Sequence, residues 1–250
     1  LLYGAVMQRP NPDVAVKRRS RTPRIVLLVL LAAGAAFLFR QGWVPTWLSP
    51  LPALDLASAN PWLVDWRLAE IRHHPDLCRR TLKPPHIEAQ PIADSPLKDG
   101  CGWLNAVRLS TAGTVKASYD KVTCEAAVAL ALWFEHDVQP VAQEMFGQRV
   151  ASIQSFGSYS CRNIIGNSQW KNWRSEHATA NAVDVGAFNL ADGRRISVAQ
   201  HWKGDGLEAR FLRAVHGRAC RYFRVAIGPD YNEAHHDHFH LDRGMLARCK

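Results

Sequence analysis

The alternation of apolar and polar positions separates one long apolar run from a body of mixed pattern. Residues 25–39 read IVLLVLLAAGAAFLF, 15 positions without a polar side chain. As a helix this run spans about 22 Å, short of a hydrocarbon core about 30 Å thick. Gly42, Trp43, Val44 and Trp47 extend it, with Arg40 snorkelling and the tryptophans at the interface. Residues 44–61, rich in proline and small side chains, read as a linker. Residues 62–76 show helical spacing at Leu63, Trp66, Leu68 and Ile71, and residues 79–100, with four prolines, read as loop. Short strands are predicted over 107–109 and 114–117. From Thr123, a good N-cap, an alanine-rich helical pattern runs to Gly147, with Pro140 placed to kink or restart it. A strand over 149–156 and a long loop over 157–176 follow. A hairpin joins 181–190 to 194–198 across Ala191-Asp192-Gly193. Residues 205–219 form a helix opened by a capping box of Asp205 and Glu208 and buried through Leu207, Phe211, Leu212 and Val215. Strands over 223–227 and 237–241, either side of a turn, complete the pattern. Strands and helices mix without βαβ alternation or internal repeat. That predicts an α+β fold, a small and largely antiparallel sheet flanked by helices.

Composition narrows the classes. With 250 residues, 47% hydrophobic and 21% charged, the chain can bury a sizeable core, which excludes general disorder and a collagen-like fibre. A single long apolar run excludes a multi-pass membrane protein. The net charge is +9, but Arg9, Lys17, Arg18, Arg19, Arg21 and Arg24 against Asp13 place five of those charges in residues 1–24. A basic cluster just before an apolar run marks a cytoplasmic flank, so the rest of the chain is expected across the membrane, and nucleic acid is not expected as a partner. The divisions that follow are a basic tail (1–24), an anchor or signal segment (25–43), a linker with a membrane-proximal helix (44–74), and a body (75–250). A cleaved signal peptide is the alternative, with Ala33-Gly34-Ala35 as its site, although Phe37, Leu38 and Phe39 continue the apolar run past it. Six scattered cysteines without a CxxC pair are expected to form three disulfides once exported. Cys78 with Cys101 is the nearest local pairing, and Cys161 with Cys220 would brace the candidate site.

Two segments carry candidate chemistry. In SEHATANAVDVGAF, His177 stands seven residues before Asp184, and HHDHFHLD holds His235, His236, His238 and His240. Strand alternation lets His238 and His240 face one space. Two imidazoles and one carboxylate leave zinc an open position for water, whose pKa such an ion lowers towards about 7. Taken alone, the histidine cluster is equally a solvated loop or a metal buffer, and Asp184 a structural hydrogen bonder. Together, a carboxylate in an apolar strand and a histidine cluster favour a shared cation.

The spacing Ser175-x-His177-x(6)-Asp184, followed by His235-x-x-His238-x-His240, resembles the zinc signature of the D-Ala-D-Ala metallopeptidase group, which shares its fold with lysostaphin-type peptidases and hedgehog signalling domains. More closely, GSYSCR, SEHATANAVD, ACRYF and GPDYNEAHHDHFHLD resemble the bacterial extensin-like C-terminal domain family, over roughly residues 75–250. The resemblance implies one zinc ion held by His177, Asp184 and His240 in a zinc-peptidase-like core. It implies Asp237 as the base, provided the chain bends near 237, with His238 as the rival, and Arg162 as the group holding substrate or oxyanion. Ser175, His235 and Tyr159, inside the same motifs, are the expected substrate contacts. Where the peptidase signature has a glycine three residues after its first histidine, this chain has Ala180. The implied function is zinc-dependent hydrolysis of an amide in peptidoglycan stem peptides, by a domain exposed to the periplasm and anchored in the inner membrane. The alternatives are a non-catalytic zinc-containing wall-binding module, since a fold alone does not specify chemistry, and a metal buffer.

Overall fold

The computed structural model describes residues 22–52, 54–57 and 63–250. Most of the basic tail, and Trp62 in the membrane-proximal segment, lie outside the described residues. The described residues divide after Phe37 into two compact units. Helix α1 (Thr22–Gln41) begins in the first. Ile25 to Leu31 are exposed on it, and the stretch Pro23–Gln41 is long and apolar enough to serve as a membrane span or a signal sequence.

In the second unit, the helical pattern of residues 62–76 forms two helices, α2 (Val64–His73) and α3 (Pro75–Thr81), because Pro75 cannot continue a helix but suits a first turn. Strands β1 (Ile87–Pro91), β2 (Ser95–Lys98) and β3 (Cys101–Trp103) follow. The proline-rich stretch is therefore not the loop expected. β1 is an edge strand with only Ile87 buried, and β2 pairs with β3 alone, positions that tolerate proline. Next come β4 (Ala106–Ala112), β5 (Val115–Thr123) and α4 (Cys124–Trp133). The Thr123 hydroxyl caps α4 by accepting from the Ala126 N–H at 3.3 Å. Helical winding continues through a π-type turn (Phe134–Val138) into α5 (Gln139–Phe146). Pro140 falls in the first turn of α5, where its missing N–H is harmless, and Gly147 ends the helix at φ +63°.

β6 (Val150–Gly157), β7 (Ala182–Leu190) and β8 (Arg195–Ser197) come next, then the short α6 (Val198–His201) and α7 (Leu207–Ala219). Gly206 caps α7 without a side-chain bond, so the expected Asp205–Glu208 capping box is not formed. β9 (Val225–Ile227), β10 (Phe239–Asp242) and β11 (Arg248–Cys249) complete the chain.

Nine of these strands form one sheet in the order β1-β4-β5-β6-β7-β10-β9-β11, with β8 also on β7. The small, largely antiparallel sheet expected from the pattern is thus a large mixed one. β5–β6 and β9–β11 run parallel, and the other neighbours antiparallel. Single strands are legible from alternation, but the extra edge strands are short and polar. α4 is buried along its whole length, as its all-round apolar sequence requires. It lies between β4 and β5 on one side and α2 and α3 on the other.

A buried charge network ties α2 to the end of β10. Glu125 accepts from Arg72 Nε at 2.6 Å and Arg243 Nε at 2.8 Å, and Asp65 accepts from Arg243 and Arg224. The three disulfides are Cys78–Cys124, Cys101–Cys161 and Cys220–Cys249. Neither pairing favoured from the sequence forms. α3 packs on α4, which puts Cys78 against Cys124, while the β2–β3 hairpin brings Cys101 to Cys161. Cys220 follows α7 and meets Cys249 in the edge strand β11.

Candidate metal centre

Two neighbouring strands and one turn build the centre. Asp184 of β7 and His240 of β10 are direct partners across the antiparallel pair. His177 sits on the short 3-10 turn Glu176–Thr179 that leads into β7. Ser175 caps this turn, its hydroxyl accepting from the His177 N–H at 3.3 Å, which gives that side chain a structural task. Ala180 closes the turn at φ +55°, a left-handed conformation that glycine adopts more easily. The alanine therefore preserves the backbone path at a cost on the order of 1 kcal/mol.

The three residues are 2%, 7% and 8% exposed for His177, Asp184 and His240. His177 Nε2 lies 3.0 Å from His240 Nδ1, and both nitrogens lie 3.1–3.2 Å from the Asp184 carboxylate. Outer partners fix what these nitrogens carry. His177 Nδ1 donates to the Ser158 carbonyl at 3.2 Å, and His240 Nε2 donates to Asp242 Oδ2 at 3.0 Å. In the neutral imidazoles, Nε2 of His177 and Nδ1 of His240 are then bare lone pairs. Two lone pairs and an anionic carboxylate converging out of water repel one another unless a cation stands among them. The cluster can hold a metal ion. Ligands at 2.0–2.1 Å from a tetrahedral ion lie about 3.3 Å apart, close to the separations found here.

Electrostatics agree. Burial works against the Asp184 charge, but hydrogen bonds and charges of His177 and His240 hold its carboxyl well below the usual range. Burial would lower His240, yet Asp184 and Asp242 outweigh it and push it up to about 10, so a proton takes the cation's place when no metal does.

Around this core the chain bends at residues 236–238 before β10 begins at Phe239. His238 approaches, its Nε2 3.7 Å from Asp184 Oδ1, and its Nδ1 donates to Asp237 Oδ1 at 2.8 Å. Asp237 thus reaches the centre through His238. His235 is also buried. It donates to Asn232 Oδ1 at 2.6 Å and is lowered to about 3 by burial and then by the neighbouring His240 and His238. The Arg162 charge contributes, least of these, to that lowering. His236 is exposed and stands apart. Tyr159 makes an edge contact with Trp103 at 5.0 Å.

A family model, that of the extensin-like protein C-terminus, matches residues 76–250. The chain belongs to the extensin-like C-terminal family. No curated protein and no solved structure is detectably similar to it.

In this extensin-like domain the sequence reading missed Asp242, although it stands two residues after His240 and alternation puts both on one face. It also missed Phe156, whose ring makes an edge contact with His238 at 5.8 Å. Phe156 lies over Gly186 of β7, where a Cβ would come within 2.5 Å of the ring. No spacing rule links these residues, because the contact is made between strands.

Proposed function

We propose that the domain is a zinc peptidase that hydrolyses an amide bond in peptidoglycan stem peptides. The carrying observation is the convergence of three hydrogen-free donor atoms beside a histidine whose far nitrogen is held by a carboxylate. The donor set of two imidazoles and one carboxylate suits zinc, and the motif spacing resembles that of the D-Ala-D-Ala metallopeptidase group. Held by His177, Asp184 and His240, the ion would supply a Lewis acid that polarises a carbonyl and acidifies water.

The other steps fall to side chains. Asp237 keeps the proton on His238 Nδ1, leaving Nε2 free to take a proton from the attacking water and return it to the departing amine. Asp237 is then a positioning residue rather than the base. Arg162 supplies a fixed positive charge for the carbonyl oxygen or a substrate carboxylate. The apolar helix near the N-terminus, as span or signal, fits work on the wall side of the inner membrane, where three disulfides persist.

The test is mass analysis of purified muropeptides incubated with zinc-loaded, oxidised protein. A new product that disappears in His238→Ala while zinc is retained is expected, and its mass names the bond. Tightly held zinc without any product would refute hydrolysis and leave a wall-binding module.

A further inference from the structure

Strands β5 and β6 run parallel and meet in register only at Lys116 and Ser152. Beyond that pair no further register pair forms, and residues 118–121 and 155–159 line an open groove of about 400 Å³, tied at one end where the Ser158 hydroxyl donates to the Lys121 carbonyl. Its walls reach the metal centre at three points. The Tyr119 hydroxyl donates to the backbone carbonyl of Asp184 at 3.2 Å, the Ser158 carbonyl accepts from His177, and the Phe156 ring meets His238. On the same wall stands the half-buried Lys121, its ammonium 4.9 Å from the Trp103 ring centre and 5.3 Å from that of Tyr159. Trp103 comes from the β2–β3 hairpin, which Cys101–Cys161 pins beside the loop carrying Arg162. Among the described residues Lys121 forms no ion pair. Asp120, exposed, is the other charge that lines the groove.

We propose that this groove seats the substrate as an extended peptide and that Lys121 binds a free carboxylate on it, with Trp103 and Tyr159 as flanking walls. The proposal rests on the peptidase reading and deepens it. An extended chain laid along the groove, short of the Ser158–Lys121 bridge, lies beside the backbone of both strands. An ammonium held over two rings is placed without being neutralised, so it keeps its charge for an anion. The groove ends against His238, so a peptide held there leads one of its amides to the centre. Stem peptides, which carry free carboxylates along a short extended backbone, match this pairing of charge and shape.

The experiment uses the full, oxidised chain in detergent, freed of metal to prevent turnover. The probe is a synthetic tetrapeptide bearing one free side-chain carboxylate, set against the same peptide with that carboxylate amidated. Titration calorimetry should show the acidic peptide binding at least about tenfold tighter. Lys121→Ala should erase that preference and Lys121→Arg should keep it. Equal preference in Lys121→Ala and wild type would overturn the proposal. So would binding of neither peptide, or binding of an uncharged N-acetylated disaccharide in their place. Turnover is measured separately on metal-loaded protein. Charge-dependent binding without hydrolysis refutes the peptidase reading and supports the groove, whereas hydrolysis with a KM indifferent to Lys121 does the reverse.

Discussion

Replacing Asp242 by asparagine tests whether the proton position on His240 governs the metal centre. Asp242 Oδ2 accepts from His240 Nε2 at 3.0 Å, and Oδ1 accepts from the Gly244 N–H at 2.9 Å. Both acceptor sites are used, and His240 Nδ1 is left bare. Asparagine offers one acceptor and one donor. With its oxygen kept on Gly244, its NH2 faces His240 Nε2 and makes that nitrogen accept, which moves the ring proton onto Nδ1. Metal binding then requires the amide to turn, leaving the Gly244 N–H without an acceptor, at about 1–3 kcal/mol. A neutral acceptor in place of a charged one adds about 1 kcal/mol. The sum, about 2–4 kcal/mol, corresponds to a loss of about 30- to 1000-fold in metal affinity. Alanine imposes no proton position; it leaves the Gly244 N–H unpaired with and without metal alike, so the metal itself loses only the outer bond to His240, for which about 10- to 100-fold is usual. Zinc competition against a chromophoric chelator, with melting curves to verify the fold, should rank wild type above Asp242→Ala and that above Asp242→Asn. An asparagine variant within threefold of wild type, or an alanine variant weaker than the asparagine one, would refute the reasoning.

Three further outcomes follow from the fold. Glu125 is 0% exposed and holds Arg72 and the equally buried Arg243, so Glu125→Gln should cost about 3–5 kcal/mol and lower the melting temperature by about 6–20 °C; a shift under 2 °C would show the network to be dispensable. Although burial opposes its charge, Asp65 is held below the usual carboxylate range by Arg243 and Arg224. A lowered folded pKa stabilises above the unfolded value of about 3.9 and is lost as pH falls through the folded one. The stability gap between wild type and Asp65→Asn, read from urea unfolding, should therefore shrink below about pH 4, and a constant gap down to pH 2 would contradict that. Removing Cys101–Cys161 by paired serine substitutions should destabilise by about 2–4 kcal/mol and raise KM for the peptide while leaving metal content unchanged. Loss of the metal would show that the hairpin supports the centre itself.

The parts of the fold legible in the sequence were those set by strong local signals. Thr123 as a cap, Gly147 as a helix stop and the hairpin around Gly193 each act within a few residues. The edge strands were not legible, because β1 buries one side chain and β2 contains a proline. Disulfide partners were also beyond reach, since Cys78 and Cys124 are 46 residues apart and meet through the packing of α3 on α4. At the centre, His177, Asp184 and His240 stood out because metal-type residues at motif spacing are uncommon together, and the structure brings all three within contact. Asp237 and His238 were left as rivals. The bend before Phe239 makes them a pair in series, which depends on side-chain direction rather than residue type. Ala180 in place of glycine raised a question about the turn that only φ +55° answers.

The central claim is that His177, Asp184 and His240 hold one zinc ion that serves hydrolysis with His238. Elemental analysis and muropeptide turnover on the same purified samples test it most directly. The account predicts one ion per chain with turnover in wild type, no retained ion in Asp184→Asn, and one retained ion without turnover in His238→Ala. Full zinc occupancy in Asp184→Asn, or unchanged turnover in His238→Ala, would contradict it.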